Sequence, residues 1–329
     1  MIKYKRGKQQ LCFQAATPLD PTDRSPLDHS FQFEKSRRIK DLFCIAREQI
    51  MSLVLKIKYR GSGVINFKVL AKEWSMSLQR QRSFCCRRLN GLGGKTVLVL
   101  GCGFGGDALS WIPLGPARVI GVDIINYKKC WEKAASQFAT RKNQIDFYQF
   151  DLVASEWDFV TPGSVDIIFS YAVLEHLADL KVVLERAKKT LKPNGLFVAS
   201  YGPLWYGPNG DHTFPILGDD VYNHLILDDN DYAAYVERTI GDWHHFENGG
   251  EGPFLLERGY FSYLKPGDYL DAFKLAGFEC LVSILNISTR AEQYFAKFPD
   301  RLVELKNKHK LDDIDLYSNG STIILEKKG

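Results

Sequence analysis

The residues best placed to do chemistry begin with a glycine-rich stretch, Val97-Leu-Val-Leu-Gly101-Cys-Gly103-Phe-Gly105-Gly106. Glycines suit a strand-to-helix turn because the backbone bends sharply and a ligand must approach main-chain atoms closely. Asp123 lies 22 residues after Gly101 and ends the next apolar run, where a carboxylate can accept both hydroxyls of a ribose. Phe150-Asp151-Leu152 closes a third run and offers a side-chain acceptor for an exocyclic amine. Gly101, Gly103 and Gly106 also satisfy G-x-G-x-x-G, so these residues alone leave a dinucleotide dehydrogenase open.

The elements that must position these groups alternate in type. Thr96–Leu100, Arg118–Val122, Ile145–Gln149, Val165–Phe169 and Leu196–Ser200 read as strands bounded by Gly, Asp, Pro or Asn. Helical patterns separate them at Gly106–Ile112, Tyr127–Thr140 and Asp179–Leu191. Such alternation predicts a parallel sheet with helices on both faces, and right-handed crossovers make it a doubly wound α/β sheet. Further on, Lys265–Ala276 and Thr289–Lys308 read as helices, Cys280–Leu285 and Thr322–Glu326 as strands.

Four segments follow. Residues 1–90 form a lead-in and helical extension, 91–201 the binding core, 202–264 an insert, and 265–329 the rest of the core sheet. Within the first, residues 1–30 show turn chemistry around Pro18, Pro21 and Pro26 rather than periodicity. Ser36–Tyr59 carries apolar residues at helical steps flanked by Arg37, Arg38, Lys40, Arg47, Lys56 and Lys58. That basic amphipathic helix suits the main domain or an anionic membrane surface. A second helix is expected over Val69–Leu89.

Composition narrows the class. With 329 residues, 45% hydrophobic and 25% charged, the chain is an ordinary globular one, not a disordered tail or a disulfide scaffold. The net charge of +4 hides an asymmetry. Residues 1–95 hold 20 Lys/Arg against 7 Asp/Glu, whereas residues 202–264 hold 2 against 11. No nucleic-acid-binding motif accompanies the basic front end, so no nucleic-acid partner is expected. Seven scattered cysteines without a Cys-x-x-Cys pair suit reduced thiols in a cytoplasm. No secretory signal or membrane-length apolar run is read, so the expected location is cytoplasmic, with peripheral contact at the inner membrane face through the basic helix.

The fourth strand continues as Ser170-Tyr-Ala-Val-Leu-Glu175-His176, and Leu191-Lys-Pro-Asn-Gly195 opens the fifth. This progression, with the glycine loop, Asp123 and Asp151, resembles the class I S-adenosylmethionine-dependent methyltransferases over about residues 92–201. The resemblance implies a Rossmann-like seven-stranded mixed sheet with its last strand antiparallel, and S-adenosylmethionine as cofactor. It implies that Gly101, Cys102 and Gly103 line the methionine part and that Asp123 holds the ribose, with Ile124 on the adenine face. Asp151 then takes the adenine amine, Leu152 flanks the ring, and Ser170 and Tyr171 stand near the reacting methyl. Gly105 and Gly106 also admit a plain helix-packing role.

Transfer to an alcohol needs a base within hydrogen-bond reach. His212, in Gly207-Pro-Asn-Gly-Asp211-His212, is the first candidate and His176 the second; His224 is placed as a substrate ligand. The Glu175-His176 pair resembles the end of a Glu-x-x-Glu-His cluster in quinone O-methyltransferases. Ala172 stands at its first position, however, and no metal is expected, although Asp211, Asp219 and Asp220 offer carboxylates. The insert is expected to be a substrate lid, with Tyr201, Trp205 and Tyr206 as substrate-binding aromatics and Phe214, Tyr222, Tyr232, Tyr235 and Trp243 around them; His244 and His245 read as packing.

Aromatics beside Asp and Asn suit a sugar. The run from Ser200 to His212 also resembles methyltransferases of bacterial surface-polysaccharide assembly. The expected reaction is therefore methylation of a hydroxyl on a sugar, glycan or other small polar acceptor. The alternatives are a quinone or natural-product acceptor and a non-catalytic cofactor-binding scaffold.

Overall fold

Runs of four or five β-branched and leucine residues, each stopped by Gly or Asp, are too short for stable helices and form strands buried on both faces. In the computed structural model these are β4 (Thr96–Leu100), β5 (Arg118–Asp123) and β7 (Val165–Tyr171), and the partly exposed edge strand β6 (Ile145–Gln149) lies beside β5. The longer β8 (Leu191–Tyr201), β9 (Glu279–Ile287) and β10 (Ser318–Glu326) follow. The structure describes residues 2–6, 9–13, 32–35, 78–137, 145–212, 219–240 and 261–329.

In front of them stand β1 (Ile2–Arg6), β2 (Gln9–Phe13) and β3 (Gln32–Lys35). The main sheet runs β3-β9-β10-β8-β7-β4-β5-β6, and β1 pairs antiparallel with β2 outside it. The seven strands from β4 to β10 are the expected doubly wound mixed sheet, with β10 antiparallel to both neighbours. β3 adds an eighth, parallel to β9.

The helices are α1 (Gln79–Arg88), α2 (Gly106–Trp111), α3 (Lys128–Gln137) and α4 (Leu180–Thr190) in the core. The insert carries α5 (Asn223–Ile226) and α6 (Asp229–Ile240). Beyond it lie α7 (Pro266–Leu275), α8 (Thr289–Lys297), α9 (Pro299–His309) and α10 (Asp313–Tyr317). Asp179 caps α4 by accepting from the Val182 amide.

Several expectations change. The lead-in of residues 1–30, read as turns, contains β1 and β2, and β3 follows it; β3 pairs with β9, which local periodicity cannot reveal. The amphipathic helix of residues 36–59 lies outside the described residues, and of the second helix the described part is α1. The single helix expected over Thr289–Lys308 is two. Pro299 has no N–H and pushes Phe298 out of helical geometry (φ −125°, ψ 69°), so α8 ends and α9 restarts there.

Every loop that follows a parallel strand leaves the sheet at one edge. The connection from β9 to β10 also lies at this edge, because β9 runs parallel to β8. It carries α8, α9 and α10, and these pack on the insert: Trp205, Tyr222 and Phe261 share an apolar cluster with Tyr294, Phe295, Leu305 and Leu316. Lys308 Nζ donates to the carbonyls of Leu225 and Ile226 at 2.9 and 3.0 Å, meeting unpaired acceptors at the end of α5. Among the described residues no helix is long and apolar enough to cross a membrane.

α1 is fixed to the glycine-loop helix by an ion pair. The Arg82 guanidinium donates to Asp107 on α2 and lies 5.1 and 5.2 Å from the ring centres of Trp111 and Phe169. Both partners are nearly sealed from water. Burial lifts the Asp107 carboxyl to about 6 despite the neighbouring cation. Removing one member of such a pair strands the other, so Arg82→Ala should cost about 3 kcal/mol or more in urea unfolding. A loss below about 1 kcal/mol would show that the pair does not hold α1.

Candidate active site

The glycine loop starts where β4 ends. Gly101, Gly103 and Gly105 have positive φ of 64°, 50° and 96°, which a side chain would strain. A Cβ on Gly101 would stand 2.1 Å from Val173 Cγ2, so the segment after β7 presses on this turn. A Cβ on Gly103 would meet nothing within 4 Å, so that face of the loop is open to a ligand. At Gly105 a Cβ would approach the Phe147 ring at 2.9 Å, in keeping with the packing role. The Cys102 side chain is buried, facing Gly121 under the loop, so only its backbone lines the open face.

Asp123 closes the turn from the next strand. Its Oδ2 accepts from the Gly103 amide at 2.8 Å and its Oδ1 from Ile125 at 2.9 Å. Burial raises its proton affinity while these amides oppose the shift. A carboxylate has about four acceptor positions, so two donors leave room for two ribose hydroxyls. Ile124 beside it is 56% exposed, an unusual fraction for isoleucine that a flat ring would cover. Asp151 folds the next turn with Oδ1, accepting from Val153 and Ala154 at 2.8 and 3.0 Å, and leaves Oδ2 for an amine. Leu152 is buried behind it, and Ser170 Oγ is buried at the tip of β7 with no protein partner. These donors and acceptors fit the nucleoside and methionine parts of S-adenosylmethionine.

A second group of side chains assembles at the tips of β7 and β8. Glu175 and His176 lie on the single helical turn Leu174–His176, and His212 on the turn after β8. One donor atom from each of Glu175, His176 and His212 lies within 4.8 Å of the other two. Glu175 Oε1 accepts from the Gly202 amide at 2.9 Å, while Oε2 is buried without a partner. Burial pushes this carboxyl up to about 8, so near neutral pH it is an uncharged acid.

His212 Nε2 lies 2.9 Å from the Pro203 carbonyl. A carbonyl only accepts, so Nε2 carries the hydrogen and Nδ1 the lone pair. Burial lowers the proton affinity of this imidazole. The His176 and His212 rings meet edge to face at 4.7 Å, and Phe261 stands 5.2 Å from each.

The remaining candidates divide. Trp205 packs on Phe261 and Tyr263, both at 4.7 Å, close to the two histidines. Tyr206 is half-buried beside the same cluster, and Tyr171 is partly exposed beyond Ser170. Tyr201 lies in the core against Tyr269 at 4.6 Å, away from any open face. His224 is buried with Nε2 on the Trp205 carbonyl at 2.7 Å, a bond within the lid. Asp211 is buried and Asp219 pairs with Lys297 at the surface, so the three spare carboxylates are not brought together. Phe214, Trp243, His244 and His245 lie outside the described residues. Phe261 and Tyr263 carry no sequence signal; they sit at the far end of the insert and meet Trp205 only through folding.

Comparison with known proteins points the same way. Residues 98–199 match the family model described as a methyltransferase domain, so this stretch of the chain carries a methyltransferase domain. A ubiquinone biosynthesis O-methyltransferase of Bradyrhizobium diazoefficiens is 37% identical over 117 residues, 35% of this chain and 42% of that protein. A sterol 24-C-methyltransferase, erg6, of Aspergillus fumigatus is 24% identical over 210 residues, 62% and 45% of the two chains. The chain thus spans about half the length of the curated relatives it matches. A crystal structure of an S-adenosylmethionine-dependent methyltransferase from Mesorhizobium loti aligns over 72% of this chain and 92% of that one, at 20% identity and a TM-score of 0.44.

Two outcomes follow for the methyltransferase domain. Asp123→Ala removes the ribose acceptor and frees the Gly103 amide, so calorimetry should find S-adenosylmethionine affinity lowered at least about 100-fold. Wild-type affinity would remove Asp123 from the site. The raised Glu175 carboxyl binds its proton more tightly folded than unfolded. Its contribution is complete below about 4.5 and is lost as pH climbs through about 8. Glu175→Gln keeps an acceptor for Gly202 without titrating, so its melting temperature should gain on the wild type from pH 5 to pH 8.5. Parallel curves would show that Glu175 is not a buried acid.

Proposed function

We propose that the chain transfers a methyl group from S-adenosylmethionine to an oxygen of a small-molecule acceptor, with His212 as the base. One observation carries this. His212 is a half-buried imidazole of lowered proton affinity whose Nε2–H is held by Pro203, which leaves the Nδ1 lone pair to take a proton. The cluster reaches that loop through Val173, which abuts Gly101.

When bound, S-adenosylmethionine supplies an electrophilic methyl group on a sulfonium. The protein's part is to hold the acceptor in line, about 3–3.5 Å from that carbon, and to exclude water. Asp123, Asp151 and the glycine loop orient the donor. Trp205, Phe261 and Tyr263 offer aromatic faces to an acceptor, and His212 takes the hydroxyl proton as the oxygen becomes nucleophilic. Asp211, next to His212 in sequence, favours the positive charge that then arises on the imidazole.

The curated relatives favour a small molecule over a glycan, and most are named O-methyltransferases. A base is also what an oxygen acceptor needs. Turnover with labelled S-adenosylmethionine should label catechol or a hydroquinone in preference to methyl glycosides. His212→Ala should lower kcat by about 100-fold or more with cofactor affinity held within about twofold. Unchanged turnover would remove His212 from the chemistry, and preferential labelling of glycosides would restore the sugar assignment.

A further inference from the structure

The lid contains a buried polar chain that the proposed transfer does not use directly. Asp211 directly precedes His212 and is 3% exposed. Its Oδ2 accepts from the Tyr232 hydroxyl, on α6, at 2.8 Å, and its Oδ1 lies 4.0 Å from His224 Nδ1, on α5. His224 in turn bonds the Trp205 carbonyl through Nε2. Three lid elements and the turn that carries His212 are therefore joined through one carboxylate.

Burying a carboxylate is costly unless its position matters or its bonds are good, and four polar groups so far from water call for an explanation. We propose that Asp211 is a positioning residue for His212 and that Tyr232 makes its setting depend on the docking of α6. The inference rests on His212 being the base.

Three observations carry it. His212 has a left-handed backbone, φ 57°, which a non-glycine residue adopts only where its surroundings hold it. The turn is pinned on both sides: the Asn209 amide donates to the Val221 carbonyl and the His212 amide to the Asn209 carbonyl. The described apolar contacts of α6 form a small cluster of their own, with Tyr232 and Tyr235 packed by Leu227 and Val236. Tyr232, a member of that cluster, ties α6 to the turn through its bond to Asp211.

The chemistry is consistent with the placement. A carboxylate next to an imidazole favours its protonated form, which is the form His212 reaches after taking the acceptor's proton. Around the ring, Glu175 and His176 face it from the turn after β7; Asp211 raises and His224 lowers its proton affinity, and burial holds Glu175 in its acid form. Moving α6 would slide Tyr232 off Asp211 and release that charge from its setting.

The test reads the histidine itself and needs no acceptor. Ring nitrogens of the full chain labelled with nitrogen-15 would be followed by NMR across pH in wild type, Asp211→Asn and Tyr232→Phe, with His309 on α9 as an internal control. His212 should show the Nε2–H tautomer. Asp211→Asn should move its midpoint to lower pH by about 0.5 or more, because the anion is gone. Tyr232→Phe, which removes one hydroxyl and keeps the ring, should alter the midpoint or the tautomer ratio while His309 stays in place. A His212 titration unchanged in both variants overturns the inference. Should Asp211→Asn fail to fold, Tyr232→Phe decides alone. The His212→Ala turnover assay separates the two claims: lost turnover with unmoved spectra rejects the positioning role and keeps the base, whereas full turnover rejects both.

Discussion

A carboxyl group sealed from water at the tip of a central strand must either find donors or stay protonated, and Glu175 does both. Its Oε1 holds the Gly202 amide at the end of β8, and its backbone carbonyl accepts from Ser262 at the end of the insert. Next to Gly202, the Pro203 carbonyl fixes the tautomer of His212. The polypeptide entering the insert, the polypeptide leaving it and the proposed base are thus all referred to one side chain. With Val173, two residues before Glu175, wedged against Gly101, the same segment also borders the cofactor loop.

The two halves of the site are built by different physics. The nucleoside half is made of strand ends: backbone amides and carboxylates whose positions follow from the twist and register of a buried sheet. The proposed acceptor half is made of aromatic side chains brought from distant stretches, Trp205 after β8, Phe261 and Tyr263 near residue 260, with α8, α9 and α10 packed against Trp205 and Phe261. Rigidity comes to the first half from hydrogen bonding and to the second from apolar packing around Tyr222, Tyr294 and Phe295.

How much of this could be read beforehand follows the same division. The sheet was legible because β4, β5 and β7 are apolar runs with clean stops, and Gly101, Asp123 and Asp151 lie at fixed offsets from those stops. Ile124 is expected on the adenine face, and its side chain stands exposed beside Asp123. The acceptor half was legible only in composition. Tyr201 belongs to the same aromatic-rich stretch as Trp205, yet the alternation of β8 turns it into the core, and the insert has no period from which to tell them apart. His224 carries the residue type of a ligand but spends its nitrogen on a carbonyl within the lid. The strand β3 had no local signal, since pairing with β9 supplies what its own sequence lacks.

The placement of α8 to α10 has a consequence for how such a protein can diverge. They enter between β9 and β10 at the same sheet edge as the insert after β8, so the apolar cluster of Trp205, Tyr222, Tyr294 and Leu316 is built from two connections rather than from the strands that carry Gly101, Asp123 and Asp151. Substitutions within that cluster can change this layer while the strand ends keep their positions, and the two connections can vary together without disturbing the sheet.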